Sequence, residues 1–63
     1  MKYSEIHRKL RKQGCYPTGN TINGHPEWYS PTTGNYFPTS HHEAQEAKFG
    51  TMKSISRLSG VKL

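Results

Sequence analysis

The stretch Glu27-Trp28-Tyr29-Ser30-Pro31-Thr32-Thr33-Gly34-Asn35-Tyr36-Phe37-Pro38 reads as two short strands around a turn. Pro31 supplies a fixed φ and Gly34 a permissive one, the chemistry of a tight reversal. The aromatic pairs on either side are strand formers, and Pro38 ends the second run. So short a connection makes the two strands antiparallel neighbours. Successive strand side chains point to opposite faces, so Trp28 and Tyr29 cannot both be core, nor Tyr36 and Phe37. One face of the hairpin packs on helices and the other is left for a partner.

Working outward, Asn23-Gly24-His25-Pro26 leads into the hairpin. Gly24 favours a turn, and Pro26 crowds His25 out of the helical region. His25 therefore stands at a strand start, with an imidazole able to exchange a proton near neutral pH. Glu27 projects from the same strand face. Before the turn expected over 21–24, residues 15–20 make a short first strand, with Pro17 suited to an edge. Further upstream, residues 4–13 form a helix. Ser4 is its expected N-cap, and Glu5 suits its positive end. Tyr3, Ile6 and Leu10 form its apolar stripe. Arg8, Lys9, Arg11 and Lys12 cover much of the remaining circumference, and Gly14 ends it.

Downstream, residues 39–48 form a polar loop carrying His41 and His42. Gly50-Thr51 opens a second helix with Thr51 as N-cap. Met52, Ile55 and Leu58 form its stripe, with Lys53 and Arg57 off it. Gly60 ends it, and Val61 is placed to fold back. The order is helix, three strands, helix, an α+β fold (α-β-β-β-α) with a three-stranded antiparallel sheet and two helices on one face.

Sixty-three residues (1–63) make one small domain. Such a chain buries only about 60% of its unfolded surface, so stability is marginal and a partner adds to it. The one cysteine, Cys15, excludes an intramolecular disulfide and reads as a small buried residue. His and Cys do not recur at zinc-ligand spacing, so no metal or cofactor is expected. Nine Lys and Arg against four Asp and Glu leave a net charge of +5, which implies an anionic partner. No apolar run spans a membrane and no signal-peptide pattern opens the chain, which points to the cytoplasm.

Three segments give the chain a resemblance to the HicA-type (YcfA-like) toxins of bacterial type II toxin–antitoxin systems. Met1-Lys2-Tyr3-Ser4-Glu5-Ile6, with Leu10 and Gly14, is similar to that family's first helix. Asn23-Gly24-His25 stands where the family has Gly-Ser-His. Lys48-Phe49-Gly50-Thr51-Met52-Lys53-Ser54-Ile55, with Leu58 and Gly60, resembles its closing Gly-Thr-Leu-Arg-x-Ile helix. The chain departs from the pattern at Gly24, Pro26 and Cys15, and in a longer 39–49 segment. The resemblance implies a fold like a double-stranded-RNA-binding domain, ribosome-independent cleavage of mRNA, and neutralisation by a HicB-type acidic antitoxin. It also implies that His25 is the catalytic residue.

The chemistry fits a positioned histidine. An RNA 2′-OH attacks its own phosphorus once a base takes its proton and an acid protonates the leaving 5′-oxygen. Metal-independent transesterification to a 2′,3′-cyclic phosphate is the expected reaction. Glu27, Tyr29, His41 and His42 are alternatives for the second proton-transfer group. RNA binding is expected from Arg8, Lys9, Arg11, Lys12, Lys48, Lys53 and Arg57, through phosphates and 2′-hydroxyls rather than base edges. Trp28, Tyr29 and Tyr36 serve either packing or base stacking. The alternative functions are a non-catalytic RNA-binding module and an adaptor for an acidic protein.

Overall fold

The computed structural model describes residues 1–63 and contains helix α1 (Tyr3–Lys12), strands β1 (Tyr16–Ile22), β2 (His25–Ser30) and β3 (Asn35–Pro38), and helix α2 (Phe49–Ser59). The strands form one antiparallel sheet in the order β1-β2-β3. No helix is long and apolar enough to cross a membrane.

The β2–β3 hairpin forms as its sequence dictates. Gly34 N–H donates to Ser30 O at 2.7 Å and closes the turn. Trp28 pairs with Phe37 and Tyr29 with Tyr36. Strand alternation then sorts the aromatics: Trp28 and Phe37 are buried, whereas Tyr36 is 57% exposed. Ile6 and Leu10 of α1 and Ile55 of α2 join Trp28, Phe37, Cys15 and Val61 in one core, so both helices lie on the Trp28 side.

The β1–β2 connection is tighter than the sequence reading expected. Thr21 and Ile22 are strand residues paired with Pro26 and His25, leaving Asn23-Gly24 alone as the turn. Both have positive φ, 50° and 79°. A two-residue Asn-Gly loop of this kind matches the twist of its flanking strands. Between Pro17↔Trp28 and Thr21↔Pro26, β1 carries Thr18, Gly19 and Asn20 opposite Glu27 alone, a bulge that absorbs residues with little strand preference.

Both helices begin one or two residues before their expected caps. Ser4 does not cap α1; Lys2 stands at its N-cap position with no side-chain hydrogen bond. The free amides are satisfied from elsewhere: Tyr3 N–H donates to Gln45 O at 3.0 Å and Ser4 N–H to Glu43 O at 2.9 Å. Thr51 likewise lies inside the first turn of α2, because Met52 N–H already reaches Lys48 O at 3.0 Å. At the other end of α1, Gly14 N–H donates to Arg11 O and Cys15 N–H to Leu10 O, the paired bonds of a Schellman motif. That motif turns the chain so that Cys15 enters the core.

Gly60 ends α2 with φ 75°, and a Cβ there would lie 3.0 Å from Thr33 Cγ2. Left-handed backbone costs an L-residue about 1–2 kcal/mol. Gly60→Ala is therefore expected to lower unfolding stability by at least that amount, with the methyl crowding against Thr33 added. Urea titration followed by circular dichroism checks it; an unchanged midpoint would contradict the argument.

Candidate functional site

His25 begins β2 directly after the Asn23-Gly24 turn, and it is exposed. It lines a cleft of about 370 Å³ together with Tyr3, Thr39, His42, Glu46 and Lys48. The far wall is the 39–48 segment, which is irregular but held by hydrogen bonds. Thr39 N–H donates to Pro26 O at 3.0 Å, extending the sheet edge by one bond. His42 N–H donates to Ser40 Oγ at 3.0 Å, and Gln45 N–H to His42 O at 3.0 Å. These bonds fix the backbone that presents His42.

Among the four alternatives for a second proton-transfer group, His42 shares the cleft with His25. The ring of His41 lies against that of His42, with centroids 4.2 Å apart, but does not line the cleft. Glu27 turns toward β1, where its Oε1 accepts from Thr18 Oγ1 at 2.7 Å. Tyr29 lies between the rings of Tyr16 and Tyr36, tilted against both. The cleft thus joins two imidazoles and the Lys48 side chain, groups able to donate or accept protons and to hold a phosphate.

Glu46 puts a carboxylate at the rim. Its carboxyl is held below the ordinary 4.5 by the hydrogen bond from the Met1 ammonium, then by that ammonium's charge and by Lys2, against desolvation. The ammonium lies 2.8 Å from Oε2. A carboxyl with a depressed folded-state pKa adds stability that is fully present above its unfolded value and lost as pH falls through the folded one. Glu46→Gln is expected to flatten the acid limb of the stability curve in that window, and only slightly, since the pair is exposed to solvent. Thermal melts from neutral pH into the acid range check this.

A further histidine escaped the sequence reading. His7 is buried against the Trp28 ring, with centroids 4.8 Å apart. Its Nδ1 lies 3.1 Å from Glu43 Oε2 and its Nε2 2.8 Å from Thr39 Oγ1. One ring nitrogen thus faces a carboxylate and the other a hydroxyl, so both edges of the imidazole are held. His7 therefore pins both ends of residues 39–43, the segment that carries His42. The signal was present: positions 3, 6, 7 and 10 lie on one side of a helix, so His7 belongs to the apolar stripe of α1.

The basic residues fall into separate groups. Arg8, Lys9, Arg11 and Lys12 together line a concavity of about 540 Å³ on α1. Arg11 also places its guanidinium 5.1 Å above the Trp28 ring. Lys48 lies in the His25 cleft. Lys53 sits 5.5 Å from the Phe49 ring, and Arg57 is exposed in the last turn of α2. Within 4.0 Å the Met1 ammonium meets Glu46 and the His7 ring meets Glu43, so no lysine or arginine pairs with a carboxylate. No protein-family model, curated protein or solved structure matches the chain.

Proposed function

We propose that the chain is a ribonuclease toxin of the HicA type, with a fold of the double-stranded-RNA-binding kind. In this reading it cleaves mRNA in the cytoplasm without a metal ion, and an acidic HicB-type antitoxin neutralises it. The observation that carries the proposal is the shared cleft of His25, His42 and Lys48. His25, the catalytic residue implied by the resemblance, and His42 exchange protons with the 2′-OH and the leaving 5′-oxygen. Lys48 supplies positive charge for the phosphate. The α1 concavity and the unpaired cations of α2 hold the flanking backbone. The same net positive charge suits an acidic protein that covers the cleft.

The test is incubation of the purified, folded chain with a long unstructured RNA in EDTA, with the product ends analysed. Cleavage leaving 2′,3′-cyclic phosphate and 5′-OH ends is expected. Intact RNA with undiminished binding would move the chain to the non-catalytic module. Absence of RNA binding at low salt would favour the protein adaptor.

A further inference from the structure

His7 sets a polar side chain at an apolar position. Tyr3, Ile6 and Leu10 form the same stripe of α1 and are buried with it. An apolar residue would complete that stripe, whereas a buried imidazole brings two nitrogens that each need a partner. One segment supplies both partners: Thr39 Oγ1 lies 2.8 Å from Nε2 and Glu43 Oε2 lies 3.1 Å from Nδ1. The ring is fixed in turn by Trp28 of β2, against which it stacks.

Between those two partners lies the span that carries His42. Its flanks are tied to the rest of the fold by backbone bonds. On one side Thr39 N–H donates to Pro26 O, next to His25. On the other, Glu43 O and Gln45 O accept from the first amides of α1, and Ala47 N–H donates to Met1 O at 3.0 Å. Residues 40–42 belong to no helix or strand, and their hydrogen bonds stay within residues 39–45. The His7 ring closes this span at its base, joining one flank to the other. Thr39 and His42 both line the cleft with His25, and Glu43 follows His42 directly. His7 itself does not line the cleft.

We infer that His7 is a positioning residue of the cleft: by clamping Thr39 and Glu43 it sets where the His42 imidazole stands relative to His25. The inference rests on the ribonuclease reading and adds to it a buried residue that touches no substrate. A shift of about 1 Å in a reacting group costs up to about a hundredfold in rate. The effect of His7 therefore falls on turnover. Binding, which that reading assigns to the cations of α1 and α2, does not pass through it.

The experiment compares RNA cleavage in EDTA by wild type, His7→Phe and Glu43→Ala, with circular dichroism establishing that each is folded. Phenylalanine keeps a ring against Trp28 and loses both bonds. Glu43→Ala removes one partner from an exposed position, so it carries the test even where the core variant fails to fold. For His7→Phe kcat is expected to fall by about ten- to hundredfold with KM unchanged, and for Glu43→Ala by less. His7→Gln, whose carboxamide extends to where Nε2 stands, should recover part of the loss through Thr39. The His42→Ala background separates positioning from general damage: there His7→Phe should cost nothing further, because its effect passes through His42. Hydrogen exchange reads the clamp without RNA. In His7→Phe the amides of Thr39 and Gln45, bonded to Pro26 O and His42 O, should exchange roughly two- to tenfold faster. Those of the β2–β3 hairpin should keep the wild-type rate. Unchanged kcat in the folded variants, with wild type cutting RNA, would overturn the inference and leave the ribonuclease standing. An equal fall in the His42→Ala background, or unchanged exchange at both amides, would overturn it too. Wild type that cuts no RNA would remove the ribonuclease reading and the positioning role with it.

Discussion

His25→Ala is expected to slow RNA cleavage by about 10²–10⁴-fold while leaving RNA binding in place. The side chain is exposed at a strand start and makes no hydrogen bond to the rest of the fold. Surface changes of that kind shift stability by about 0.5 kcal/mol or less. Lost activity therefore reports chemistry and not unfolding. His42→Ala is expected to fall in the same range, since His42 lines the same cleft. Groups acting as a unit are not additive, so the double variant should be little slower than either single one. The rate measured against pH adds an independent check. A base and an acid together give a bell, and each single replacement removes one limb. Equal cleavage by wild type and His25→Ala would remove His25 from the mechanism. Loss with His25→Ala alone would place the second proton elsewhere.

Phe37→Ala is the largest expected stability effect. Phe37 is 1% exposed and the largest of the fully buried side chains. It packs opposite Trp28 on a strand of only four residues. Truncating a buried Phe costs about 3–5 kcal/mol. A chain of this length holds roughly 3–9 kcal/mol in total, so the variant should be largely unfolded or close to it at room temperature. Tyr36→Ala, one residue away, provides the contrast. It faces the open side and should cost only the cross-strand pairing, about 0.2–1 kcal/mol. Denaturation curves for the two variants check the pair. Similar midpoints would mean that the alternation deduced for β3 does not govern the core.

That alternation was readable in the sequence because it is local. Trp28 against Tyr29 and Phe37 against Tyr36 follow from strand period and one turn. Gly60 and Val61 were readable for the same reason, since a left-handed residue after an apolar stripe ends a helix wherever it occurs. The extent of β1 was not readable. Thr18-Gly19-Asn20 carries little strand preference, and Asn23-Gly24 is what pairs Thr21 and Ile22 with β2. The helix starts were misjudged because local caps were sought. In α1 the acceptors are carbonyls of Glu43 and Gln45, remote in sequence. The site divides in the same way. His25 as a strand-start histidine was legible from Gly24 and Pro26. Its neighbour His42 was one of four alternatives until the 39–48 segment was seen folded. His7 was overlooked because polar residues were assigned to the outer face of α1, although its helical position places it inside.

The remote capping of α1 has a consequence for how the molecule assembles. An isolated helix of ten residues is marginal in water, and here its leading amides wait for a segment some forty positions later. Closing a loop that long must precede the reward, which ties α1 to a contact far along the chain. Without those acceptors α1 has little to hold its first turn. The residues that complete its first turn belong to the segment that carries His42 into the cleft. The helix start and the cleft are therefore coupled: a change that frees residues 43–45 loosens the first turn of α1 and displaces His42 together.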